Sequence, residues 1–172
     1  MKRDAILQQS ANLIYEYLEA YKQLPEGSQK DILYSSTFVE GLVFRCISDI
    51  CDSFGIKYNN KLIASDYITV EAKKQIEQKN KKNLVREHMI PKNIYFNILV
   101  SEAKNGLLTK ERIFDILNKH YWTCIVTKDE DNVLAENYQI KMPDDWDGEN
   151  VFARYEKVTI SKVLENEYRV II

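Results

Sequence analysis

Near the start of the chain apolar residues recur at three- and four-residue spacing, with Ile6, Leu13, Ile14, Tyr17, Leu18 and Tyr21 along one side. This spacing predicts an amphipathic helix over about residues 3–24, stopped by Pro25-Glu26-Gly27. A second helix is announced by Thr37 and Glu40, spaced as a capping box whose hydroxyl and carboxylate satisfy the end amides. Phe38, Leu42, Val43, Cys46, Ile47, Ile50, Cys51 and Phe54 follow on a broad face, and Gly55 ends it as a left-handed cap. A stripe that wide predicts the central helix of the core. Residues 56–68 read as a loop with a turn at Asn59-Asn60, and a weaker helix follows over about residues 69–82. Its only apolar anchors are Val70, Ala72 and Ile76, and its end is polar all round.

The heptapeptide Val85-Arg86-Glu87-His88-Met89-Ile90-Pro91 lies at a seam. Proline drives its predecessor away from helical geometry, so residues 88–90 are expected to be extended or to end a helix. Helical spacing resumes over residues 93–104 with Ile94, Ile98 and Leu99, and stops at Asn105-Gly106. Thr109 caps another helix carrying Ile113, Phe114, Ile116 and Leu117. Residues 121–126 are aromatic and β-branched and predict a strand. Thr127 and Glu130 form a second capping box opening a brief helix through Val133 and Leu134, and residues 137–150 read as a loop. A helical turn at residues 150–156 leads to a terminal β-hairpin, residues 158–164 and 168–172 around a polar turn. The pattern predicts a predominantly helical α+β fold. It is expected to be one compact domain with a small antiparallel sheet that includes the C-terminal hairpin. Two lobes are compatible with it, helical over residues 1–82 and helices plus sheet over residues 83–172.

Composition changes this picture little. A chain of 172 residues with 45% apolar and 29% charged positions buries a core without a metal or disulfide staple. Net charge is −2, too small for a global field that drives non-specific DNA binding. The charge is uneven: residues 57–92 carry nine Lys or Arg against four acids, and residues 128–150 carry eight acids against two lysines. Two ordinary solvated faces account for such runs. Cys46, Cys51 and Cys124 show no CxxC spacing, which suits buried reduced thiols in a cytoplasmic protein. No run approaches the ~20 apolar residues of a membrane span, so a soluble chain with no membrane partner is expected.

Candidate chemistry centres on His88, one of two histidines. Glu87-His88 before an apolar residue and a proline resembles the opening of an HNH nuclease site, in which His88 and Glu87 would be catalytic. The apolar helix after Pro91 replaces the glycine-bearing loop and strand such a site needs, and a second metal ligand is missing from the pattern. His120 stands just after a helix, where its protonated form suits the helix dipole, and no HxxxH spacing supports zinc. Glu156-Lys157 lacks the Glu-x-Lys spacing of a PD-(D/E)xK nuclease, and the acidic residues 143–149 lack the alternation of an EF-hand. No metal or other cofactor is expected. A nucleic-acid reading uses Lys79, Lys81, Lys82, Arg86 and Lys92 within the basic stretch 73–92. A protein-binding reading uses Asp144, Asp145, Trp146 and Asp147. Eleven tyrosines also suit protein contact.

Glu87-His88-Met89-Ile90-Pro91, residues 125–131 with Leu134, Met142-Pro143 and Ala153-Arg154-Tyr155 together look like spaced motifs in uncharacterised bacterial and phage-borne proteins. The resemblance covers about the second half of the chain. It implies an accessory role on a mobile element and assigns no chemistry. The expectation is a non-enzymatic interaction protein, an accessory or counter-defence factor with a protein partner. A His88-dependent nuclease and a nucleic-acid binder are the alternatives, and a homo-oligomer is left open.

Overall fold

In the computed structural model the most buried stripe of the first helix is rotated from the one the spacing picks out. Helix α1, Arg3–Tyr21, buries Leu7, Ser10, Ala11 and Ile14, while Leu13 is 39% exposed and Ile6, Tyr17 and Leu18 are half-buried. Ser10 tolerates burial because its hydroxyl donates to the Ile6 carbonyl at 2.7 Å, a bond within the helix that a hydropathy pattern does not register. The structure describes residues 3–21, 41–43, 45–46 and 65–167. Residues 41–43 and 45–46 are helical, with Val43 and Cys46 buried. The Thr37 capping box, Cys51, Gly55, the Asn59-Asn60 turn and the last hairpin arm lie outside the described residues.

The fold is α+β with helices predominating. Backbone proximity groups the described residues into two compact units. The first holds α1, the helical residues 41–43 and 45–46, α3 (Lys92–Lys104) and α4 (Lys110–His120). Helix α4 runs antiparallel to α1, since Arg3 bonds Asn118 at one end and Lys110 pairs with Glu16 at the other. Ile113, Ile116, Leu117 and His120 form its buried face at helical spacing. The α3–α4 turn uses Gly106 at φ 68, and Arg112 grips Glu102 through two nitrogens across it.

The second unit comprises residues 65–91 and 121–167, so the chain leaves it after Pro91 and re-enters at Tyr121. A division at residue 82 therefore falls inside this unit. Its elements are β1 (Tyr67–Thr69), α2 (Val70–Glu77), β2 (Leu84–His88), β3 (Thr123–Thr127), α5 (Lys128–Tyr138), α6 (Ala153–Glu156) and β4 (Val163–Glu165). Strand order is β2-β3-β1-β4. The sheet is mixed: the expected antiparallel pairing joins β2 to β3 and β1 to β4, while β1 with β3 is parallel. Periodicity marks a strand and its faces but not its neighbour, which depends on how the intervening chain crosses over. The heptapeptide supplies strand β2 rather than a helix junction, and the helix before it ends at Glu77, since residues 78–83 have no apolar side chain to bury.

The two sheet faces carry different cores. Ile68, Leu84 and Ile125 pack with Ala72 of α2 on one face. Met89, Cys124 and Val126 pack with Leu134 of α5 and Tyr155 of α6 on the other.

Candidate functional site

Strand β2 alternates its side chains, so Glu87 points to the face that bears Cys124, while Arg86 and His88 point to the opposite one. On the Glu87 face its carboxylate meets two consecutive residues of α6. Arg154 Nη1 donates to Glu87 Oε1 at 2.8 Å, and the Tyr155 hydroxyl donates to Oε2 at 2.7 Å. The same Arg154 nitrogen donates to the His88 carbonyl at 2.8 Å. The Arg154 side chain is 2% exposed and that of Glu87 12%. Arg154 thus spends its charge inside the protein.

The electrostatics follow from burial. Loss of solvent raises the Glu87 carboxyl above its ordinary value, opposed by the Arg154 charge and by the bonds from Tyr155 and Arg154. Asp131 on α5, half-buried, is raised by the same desolvation and also faces Arg154. Burial pushes the Tyr155 hydroxyl well up, helped by the neighbouring Glu87 charge, which keeps it a proton donor. Burial also pushes the Cys124 thiol well up, which favours its protonated form. Because Glu87 binds its proton more tightly when folded, its contribution to stability is full below the ordinary value of 4.5 and lost as pH rises through the folded value. Glu87→Gln removes that titration. The melting temperature of wild type relative to Glu87→Gln is expected to rise as pH falls from 7 to 4.5, and a flat difference would contradict the assignment.

A second buried carboxylate lies nearby in the same unit. Glu130 completes the capping box read from the sequence, accepting from the Thr127 amide at 2.9 Å while its own amide is capped by Thr127 Oγ1. It also accepts from Thr69 Oγ1 at 2.7 Å and from the amide and hydroxyl of Ser161. Thr69 is the N-cap of α2, so one carboxylate ties together the starts of two helices and the irregular segment leading into β4. Asp66 has a third such role, accepting from the Thr123 amide at 3.0 Å and hydroxyl at 3.2 Å between β1 and β3.

The residues singled out from sequence are not brought together. Glu87 accepts from Arg154 and Tyr155. His88 stacks edge-on against Tyr121, with ring centres 5.5 Å apart, and Arg86 Nη2 donates to the Tyr121 hydroxyl at 2.7 Å. Lys79, Lys81 and Lys82 are exposed on the turn before β2, and Lys92 opens α3 in the first unit. Among the described residues no group of three His, Cys, Asp or Glu side chains is placed to hold a metal ion. No described helix is long and apolar enough to cross a membrane.

The acidic residues are held in a shaped loop. Asp147 Oδ1 accepts from the amides of Glu149 and Asn150 at 2.8 Å, and Gly148 takes φ 81 inside that turn. Trp146, half-buried, donates its indole N–H to the Asn150 carbonyl at 2.9 Å. Asp145 pairs with Lys157 at 2.6 Å, which lowers its carboxyl below the usual value, and Asp144 is exposed. Sequence reasoning missed Arg154, Tyr155, Thr69 and Ser161 as site residues. Thr127-Glu130 and the conspicuous Glu87 carried a signal of their own, and Arg154-Tyr155 entered only through the resemblance, because these partners are brought in from remote positions. Comparison with protein-family models, curated proteins and solved structures finds no match for this chain.

Proposed function

We propose that this protein works by binding another protein, without catalysis, and that the acidic loop at residues 143–150 is the contact surface. In the mobile-element setting implied by the resemblance, it is an accessory or counter-defence factor acting on a host protein. The observation that carries the reading is the fastened shape of the loop. Asp147 and Trp146 bond the loop's own backbone, and Asp144 and Asp145 are exposed on that turn, Asp145 paired with Lys157. Such a surface meets a basic partner with little ordering cost, and charge complementarity speeds encounter. The commitment of Glu87 to Arg154 and Tyr155 weighs against the nuclease alternative.

Affinity capture with wild type and with the Asp144→Lys, Asp145→Lys double variant tests the reading. Wild type is expected to retain one stoichiometric protein partner, and the double variant to lose it while its melting temperature changes little. A partner held equally by both, or none, removes the loop as the contact. His88→Ala is expected to leave capture intact. Incubation with DNA and RNA plus magnesium or manganese decides the nuclease alternative, which requires cleavage that His88→Ala abolishes. The nucleic-acid alternative rests on the exposed Lys79, Lys81 and Lys82. It requires binding that weakens steeply with salt and flattens when those lysines become alanine.

A further inference from the structure

Strand β4, Val163–Glu165, stands at one end of the sheet order and pairs with β1 on its inner side. The Val70 amide donates to the Lys162 carbonyl at 2.8 Å, and the Asn166 amide donates to the Asp66 carbonyl at 3.0 Å. Backbone direction alternates along a strand, so Lys162, Leu164 and Asn166 face β1 while Val163 and Glu165 face outward. Among the described residues nothing bonds the outward amide or carbonyl of either one. Two amides and two carbonyls thus form an open edge, the template on which an extended chain adds.

Side chains alternate as well. Leu164 packs on the face that carries α2, and Val163 on the opposite face, which carries α6. Beside Val163 on that face lies an open depression of about 260 Å³, between Phe152 and Tyr155 on one side and Ile160 on the other. This is smaller than the roughly 300–1,000 Å³ of a drug-sized ligand site and has room for one branched apolar side chain. Glu165, two residues further along the same face, is exposed, and no cation pairs with it among the described residues. An antiparallel second copy centred on Leu164 would bring a Glu165 carboxylate to the apolar depression, which disfavours self-pairing.

We propose that β4 receives an extended segment of a partner protein as a fifth, antiparallel strand, with a branched apolar side chain in the depression and a basic one against Glu165. Antiparallel neighbours run in reverse, so the segment reads basic-x-apolar from its N-terminal to its C-terminal end. Main-chain bonds supply the affinity, and the two side chains supply the selection. The inference rests on the protein-binding reading, but the site uses no residue of the acidic loop, so either surface can fail alone.

The probe is a heptapeptide of threonines with lysine third and leucine fifth, titrated into the dilute full chain and followed by amide NMR. The Val163 and Glu165 amides are expected to move downfield and, at saturation, to exchange at least about tenfold more slowly. Methylating the leucine amide nitrogen, which faces β4, should weaken binding about tenfold by removing one bond and crowding the next. Methylating the threonine between lysine and leucine, whose amide faces away, should leave affinity within about twofold. Alanine in place of leucine should cost about tenfold. Glu165→Lys should weaken the lysine peptide about threefold and favour a peptide with glutamate at that position. The Asp144→Lys, Asp145→Lys double variant should bind the peptide as wild type does. Slow exchange of both edge amides before peptide is added would show the edge already covered by the chain itself. Shifts there that grow with protein concentration would show a second copy in place. Either result overturns the inference, as does binding indifferent to the leucine methyl group, or no shift at either amide in millimolar peptide.

Discussion

Arg154→Ala is expected to lower the free energy of unfolding by about 3–5 kcal/mol at pH 7, the range for breaking a buried ion pair from one side. The guanidinium is nearly solvent-free and bonds both Glu87 and the His88 carbonyl, with Asp131 also in its field. Its removal leaves a buried carboxylate with only the Tyr155 hydroxyl. That carboxylate then takes up a proton more readily still, so the deficit should shrink between pH 7 and pH 5. Urea unfolding at both pH values reads the effect. A loss below about 1 kcal/mol, the level of a surface pair, would mean that the pair is solvated in the folded protein. Replacing Glu87 and Arg154 by Leu and Met, with Tyr155→Phe to remove the orphaned hydroxyl, should recover most of the stability, since apolar side chains of similar volume substitute well for a buried pair.

Glu130→Ala should cost about 3–5 kcal/mol, because it strips acceptors from the amides of Thr127 and Ser161 and from three hydroxyls, and each buried donor left unmet costs about 1–3 kcal/mol. Hydroxyls rotate to new partners, which keeps the total below a simple sum. Glu130→Gln retains one oxygen but turns an N–H₂ group toward donors, so about half the loss is expected. The capping box alone is worth about 1 kcal/mol. A Glu130→Ala loss no larger than that would show that the contacts to Thr69 and Ser161 contribute nothing. Thermal or urea unfolding, with Thr127→Ala as the cap-only comparison, separates the two.

Legibility in the sequence followed the range of the interaction. Thr127 and Glu130 are three residues apart, and their mutual capping is local chemistry; it appeared in the structure as read. Thr109 likewise caps α4, its Oγ1 accepting from the Arg112 amide at 3.1 Å. The α4 stripe was legible because Ile113, Ile116 and Leu117 repeat at helical period. Strand β2 was not, since Leu84 and Val85 are followed by three charged or polar residues with no alternation, and such a strand is recognised by its partners. Those partners are Thr123–Thr127 in register and Arg154 at the edge.

Charge is where sequence and structure part most clearly. A list of residues places Arg154 beside Glu156 and Lys157 as one more surface cation. The fold places it inside, against Glu87 and 67 positions away from it along the chain. Conversely, Glu87 and His88 are adjacent in sequence, as a catalytic motif requires, and the pleat of β2 sends them to opposite faces. The sequence by itself determined the α+β class, the helix caps at Thr109 and Thr127 and the position of strand β3, because these depend on neighbours within a few residues. Only the tertiary structure decided the mixed strand order, the burial of Arg154 and the three-way role of Glu130. Each of these depends on which distant segments meet, and on the cost of burying a charge unless a partner from elsewhere in the chain offsets it.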